Sequence, residues 1–160
     1  LTRLSEKMMQ LARAEGGRLR TGQARDLRPI LNLVASDFER SADGGSLNLT
    51  LPEQPVLSDI DPDAFGILCR NLIENALKHG LQPLVGSGTI RVAARADAGR
   101  LVLTVADSGV GMGSGSGHGT GLANLRARLK SMYGAAASLT LALNEPRGVI
   151  ATITLPERSP

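Results

Sequence analysis

The sequence predicts an α/β (α+β) domain, a two-layer sandwich in which helices cover one face of a mixed, largely antiparallel sheet. Two observations carry this. Alternating apolar stretches at 89–96 and 100–106 are joined by Asp97, Ala98 and Gly99, and a second such pair occupies 138–144 and 149–155, so two hairpins are expected. Helical periodicity recurs before and between the hairpins, not in regular alternation with single strands, which favours helices laid on one antiparallel layer.

With 160 residues the chain is read as one main domain, long enough to bury roughly two thirds of its unfolded surface. Aromatic residues make up only 2% and Trp is absent, so Leu, Val, Ile and Ala must build the core, and no stacking platform for single-stranded nucleic acid is available. The net charge of +3 hints at an anionic partner, but Arg18, Arg20, Arg25 and Arg28, then Arg126, Arg128 and Lys130, are scattered and argue for no nucleic acid. Cys69 stands alone in an apolar stripe, which excludes an internal disulfide. No signal peptide and no apolar run of about 18 residues is found, so no membrane crossing is expected. The chain starts inside a helical pattern without an initiator Met and is read as a piece of something longer.

Leu1, Leu4, Met8 and Leu11 form a heptad-like seam that asks for a partner helix. Residues 16–25 read as a flexible basic linker. Asp26 is expected to cap a helix to about residue 42 with Ile30, Leu31, Val34 and Phe38 inward and Pro29 in its first turn. Short strands follow at 47–51 and 56–60. Asp61 and Pro62 then start the central helix as N-cap and first residue, Gly80 is expected to end it, and a loop runs through Pro83 and Gly86 to Gly88. Residues 108–121 include seven glycines, too few side chains to build structure from. Leu122, Leu125, Leu129 and Met132 mark a last helix at 121–133, with Gly134 as its stop.

The central helix holds the most informative stretch. Phe65, Leu68, Cys69, Leu72, Ile73 and Ala76 recur as a buried stripe, while Asn71, Asn75 and Lys78 share another face at i, i+4 and i+7 if each residue turns about 100°. Asn is a mediocre helix former, and two of them a turn apart ask for an explanation. One is a magnesium nucleotide, with an amide oxygen of Asn75 on the metal and Lys78 as a point charge on phosphate. The other is a solvated face with a Glu74–Lys78 pair. A second motif is Asp107, Ser108, Gly109, Val110, Gly111: a carboxylate at a strand end able to accept from an amine such as that of adenine, beside glycines that let backbone approach a ligand, or else an ordinary polar turn. A third is Gly117, His118, Gly119, Thr120, Gly121, Leu122 before a helix, where free N–H groups and roughly half a positive charge favour phosphate. The order of the three is more specific than any one.

In that order they resemble the N box and two glycine boxes of the histidine-kinase ATP-binding domain, in the superfamily shared with gyrase, Hsp90 and MutL, whose fold is the Bergerat type. The similarity covers about 26–156, and residues 1–17 resemble the end of a dimerisation and phosphotransfer helix, leaving 18–25 as linker and 157–160 as tail. The resemblance implies ATP with Mg2+ as cofactors, Asn75 on the metal, Lys78 and His79 near phosphate, Asp107 on adenine, and the backbone of Gly119, Thr120, Gly121 and Leu122 at the phosphates, with Asn71, Gly109 and Gly111 also among the nucleotide-binding residues. It implies transfer of the γ-phosphoryl group to a histidine on an adjoining helical domain, a cognate response regulator, a homodimer when full length, and a cytoplasmic location as part of a membrane-bound sensor. Catalytic roles fall on Asn71 and Lys78.

Position 71 bears on the reaction. Hydrolysing relatives resemble one another in carrying Glu four residues before the magnesium Asn, where it serves as general base; Asn71 is a poor base, and Glu74 lies about 100° around the helix, so transfer to histidine is the expected chemistry. Neither His79 nor His118 precedes the first helix, so the phosphoacceptor is not in this chain. The lid between Gly111 and Gly117 is short, rich in Gly and Ser, and lacks the Phe motif of many kinases. Ordering each of residues 112–118 would take about 1–2 kcal/mol, so disorder without nucleotide is expected. Val149 stands where many relatives have Thr. Two further readings share these residues: a degenerate, non-catalytic binding module, and a serine kinase of the anti-sigma type.

Overall fold

The computed structural model describes residues 20–41, 45–81, 88–111 and 120–158. The expected helix of 1–17, the loop through Pro83 and Gly86, the lid at 112–118 and Gly119 lie outside the described residues.

Described elements run β1 (Arg20–Asp26), α1 (Arg28–Ser41), β2 (Gly45–Thr50), β3 (Leu57–Ile60), α2 (Pro62–Asn75), a π-helical segment (Ala76–Leu81), β4 (Gly88–Asp97), β5 (Arg100–Asp107), α3 (Thr120–Tyr133), a 3-10 turn (Gly134–Ala136), β6 (Ser138–Leu143) and β7 (Val149–Pro156). A five-stranded sheet has the order β2-β4-β5-β7-β6, and β1 pairs with β3 in a small separate sheet. Only β2 with β4 is parallel; β4–β5, β5–β7 and β6–β7 are antiparallel. This is the mixed, largely antiparallel layer that the alternation predicts. Along β7, buried and half-buried residues alternate. Its inward residues Ala151, Ile153 and Leu155 join Leu101, Leu103 and Val105 of β5, Phe65, Leu68 and Leu72 of α2, and Leu125 and Leu129 of α3 in one core.

Local chemistry sets the boundaries. Asp61 caps α2, its Oδ2 accepting from the Ala64 N–H at 3.0 Å, and Pro62 opens the helix where an N–H has no intrahelical partner. The β4–β5 turn is one residue tighter than expected: Asp97 pairs with Arg100, and Ala98 and Gly99 both take positive φ, 51° and 78°, the two-residue turn whose twist matches its strands. Gly80 does not close the central helix. The chain passes through it within the π-helical segment, so the 100° spacing that aligned Lys78 with Asn71 and Asn75 stops applying after Asn75.

The stretch expected as linker also differs, since Arg20–Asp26 is strand β1, paired antiparallel with β3. Its residues are mostly exposed and polar, so no apolar alternation announces it. Polar bonds hold it instead. Arg20 donates through Nε (3.1 Å) and Nη2 (2.8 Å) to Asp59 Oδ2, and Thr21 Oγ1 donates to the Asp59 carbonyl at 3.2 Å. Tyr133, the last residue of α3, donates its phenol to Asp59 Oδ1 at 2.9 Å, and the Arg20 guanidinium lies 4.5 Å from its ring centroid. Arg158 reaches the same carboxylate at 3.5 Å. Burial acts to raise the Asp59 carboxyl, but the Arg20 and Tyr133 hydrogen bonds and the Arg20 and Arg158 charges outweigh it and hold it below the usual carboxylate range. Burial, with the facing Asp59, pushes the Tyr133 phenol up to about 12.

A lowered carboxyl stabilises the fold at pH values above its unfolded pKa of about 4 and loses that contribution as pH falls through its folded value. Asp59→Asn is expected to destabilise the domain at pH 7 by about 1–3 kcal/mol and to flatten the loss of melting temperature on acidification below about pH 4, both read by thermal denaturation across pH.

Candidate functional site

Asp107 is the last residue of β5 and is 4% exposed. Its Oδ1 accepts from the backbone N–H of Gly109 at 2.9 Å and of Val149 at 3.3 Å, so the turn after β5 and the start of β7 both orient the carboxylate. The neighbouring strand fixes the next residue: Ser108 N–H donates to the Thr89 carbonyl at 3.0 Å, and Ser108 Oγ accepts from the Thr89 N–H at 2.9 Å. Gly111 has φ +86°, a conformation that disfavours any side chain.

Gly148 packs directly on Asp107. It has φ +110°, and a Cβ placed on it would lie 1.9 Å from the Asp107 carbonyl oxygen and 3.0 Å from Oδ1. Only glycine leaves room there.

Across from Asp107, α2 brings up Asn75. The helix buries Asn71 and Asn75 to 4% and 9% exposure, and among the described residues neither carboxamide has a hydrogen-bond partner. Buried polar groups are ordinarily paired, so the Asn75 carboxamide keeps hydrogen-bonding capacity at the wall of a cleft. Asn75, Asp107 and Leu122 line one cleft, together with Leu72, Ala76, Val105, Leu141, Val149 and Ala151.

Of the residues expected at the site, Asn75, Asp107 and Leu122 thus meet in the cleft, and Gly109 binds the carboxylate. Asn71 lies a turn earlier and does not line it. Lys78 is exposed in the π-helical segment, which also contains His79; Thr120 and Gly121 begin α3. Glu74 lines a different groove between α1 and α2, with Val34, Asp37, Phe38, Arg70 and Ile73, where Arg70 pairs with Asp37 at 2.7 Å. Burial raises the Glu74 carboxyl against the pull of Arg70. Sequence reasoning missed Gly148, because a glycine before a strand looks like any turn residue, and only the strand register brings it against Asp107.

The comparisons agree with this geometry. The family model described as "Histidine kinase-, DNA gyrase B-, and HSP90-like ATPase" matches residues 60–159, and the chain belongs to that family. A domain of this family is an ATP-binding domain. Among solved structures, the chain is similar to the Acinetobacter baumannii histidine kinase AdeS, with a TM-score of 0.72 at 18% identity over 97% of this chain and 76% of that one. It is similar to the cytoplasmic segment of histidine kinase QseC, with 0.71 at 19% identity over 98% and 95%. The mycobacterial sensor histidine kinase MprB gives 0.65 at 21% identity over 86% and 99%. Comparison with curated proteins returns no match.

Gly148→Ala is expected to destabilise the fold by more than about 2 kcal/mol, since carbonyl and new methyl cannot share the space. It is also expected to weaken nucleotide binding at least about tenfold by displacing Asp107, as differential scanning fluorimetry beside calorimetric titration will read.

Proposed function

We propose that the chain is the catalytic part of a two-component sensor histidine kinase, binding Mg-ATP and passing its γ-phosphoryl group to a histidine on an adjoining helical domain. The observation that carries this is the meeting, in one cleft, of the buried unpartnered Asn75 carboxamide, the backbone-oriented Asp107 carboxylate and the first turn of α3. Asp107 would accept from the adenine amino group. The backbone N–H groups from Gly119 to Leu122, at the positive end of α3, would face the phosphates, and Lys78 and His79 would approach them from the π-helical segment.

The residues suit magnesium of one kind. Among the described residues no group of three or more His, Cys, Asp or Glu could hold a metal ion; in this reading the donor is the neutral amide oxygen of Asn75, with Asn71 one turn behind. Magnesium that keeps waters and takes most of its charge from phosphate oxygens fits such a donor. When bound it neutralises phosphate charge, and the rest of the chemistry is positioning, as is general for phosphoryl transfer.

Transfer to histidine is favoured over hydrolysis by position 71, where Asn cannot act as base, and by the placement of Glu74 in another groove. The similar proteins AdeS, QseC and MprB are all histidine kinases, which supports the same reading. The proposal includes a cognate response regulator, a homodimer when full length, and a cytoplasmic position within a membrane-bound sensor. Among the described residues no helix is long and apolar enough to cross a membrane.

Titration calorimetry with a non-hydrolysable ATP analogue is expected to show magnesium-dependent binding that weakens at least about tenfold in Asn75→Ala and in Asp107→Ala. With γ-labelled ATP and the histidine-bearing domain added, acid-labile phosphate is expected on that domain. Acid-stable phosphate would indicate a serine kinase, and a folded chain that binds no nucleotide would indicate a degenerate module.

A further inference from the structure

The β5–β7 register is described to Ala106 opposite Ile150, and Asp107 continues β5 in register with Ile90 of β4. On the β7 side a side chain reaches it. Asn144, the residue after β6, donates its Nδ2 to the Asp107 carbonyl oxygen at 2.9 Å, across 37 positions of sequence.

Asn144 is itself held. Its backbone N–H donates to the Gly148 carbonyl at 2.9 Å, closing the five-residue loop, and its Oδ1 accepts from the Glu145 N–H at 3.0 Å. Both ends of the carboxamide are therefore engaged, one within the loop and one on β5. The same loop delivers Gly148 against the Asp107 carbonyl and the Val149 N–H to its Oδ1. The β6–β7 connection thus reaches Asp107 both through backbone, at Gly148 and Val149, and through the Asn144 side chain.

We infer that Asn144 is a positioning residue for Asp107, and that through it the β6–β7 loop sets how well the cleft discriminates a base bearing an amino group from one lacking it. This rests on the reading of Asp107 as the acceptor for that amino group. Asn144 holds the main-chain carbonyl of Asp107, from whose backbone the carboxylate projects, and a hydrogen bond weakens steeply with misalignment, so a shift of that backbone loses discrimination before it loses phosphate binding. A site built to hydrogen-bond a group rejects the analogue that lacks it, and that rejection is the quantity Asn144 controls.

Asn144→Asp keeps the size and the Oδ1 acceptor but replaces the donor to Asp107 with a charged acceptor; Asn144→Ala removes both without adding charge. Each full-length variant is first checked for an intact melting transition. Calorimetric titration then compares ATP with purine riboside triphosphate, which has the same phosphates but no 6-amino group. Wild type is expected to prefer ATP about tenfold or more. Both variants are expected to lose most of that preference; the charge added in Asn144→Asp acts alike on two ligands with the same phosphates and so cancels in the ratio of their affinities, which is the quantity compared. Preference retained in both folded variants overturns the role of Asn144 alone. A wild type that binds ATP and the analogue equally overturns the reading of Asp107, and this inference with it.

Discussion

Burial of α2 against the sheet is the constraint on which the rest depends. Phe65 and Leu68 are fully buried and Leu72 is nearly so, and in taking them below the surface the helix also takes Asn71 and Asn75. Leaving a buried amide without a partner costs about 1–3 kcal/mol, a sum that burying a large apolar side chain offsets at roughly 1.5–3 kcal/mol each. The helix can therefore hold two unsatisfied carboxamides in place. They are kept out of water, where a bond to a charged ligand is electrostatically stronger than on an exposed face. The fold supplies the stability, and the site is where some of it is left unused.

The opposite wall is built from elements far apart in sequence. The β4–β5 pairing brings Asp107 to the end of the layer, and the β6–β7 hairpin returns to lay Gly148 and Val149 on it. α3 closes the remaining side with Leu122 at its first turn, while Tyr133 at its last turn is tied to Asp59 and, through it, to β1. The helix is thus anchored by polar bonds at its far end, with the cleft at its near end.

How much of this was legible follows from the range of each interaction. The hairpin 89–106 and the start of α2 were, because alternation, a Gly-bearing turn and an Asp-Pro cap are local signals, although the turn proved one residue tighter than read. Asp107 and Asn75 were also visible as chemistry out of place, a carboxylate at a strand mouth and amides in mid-helix. β1 was not, because a polar strand held by Arg20 and Thr21 on Asp59 has no periodic signature, and its partner lies 38 or more positions away. The π-helical turn was hidden for a different reason: widening after Asn75 is a tertiary adjustment, and the residues Ala76 to Lys78 are ordinary helix formers. Asn144 and Gly148 read as turn residues until the sheet register sets them beside Asp107.

The most direct measurement is an amide correlation NMR titration of this chain with a magnesium-bound ATP analogue. If the cleft is the nucleotide site, the largest shifts fall on the side-chain amide of Asn75 and the backbone amides of Gly109, Leu122 and Val149. Shifts confined to the groove between α1 and α2, around Val34 and Ile73, with those four residues unmoved, would contradict it.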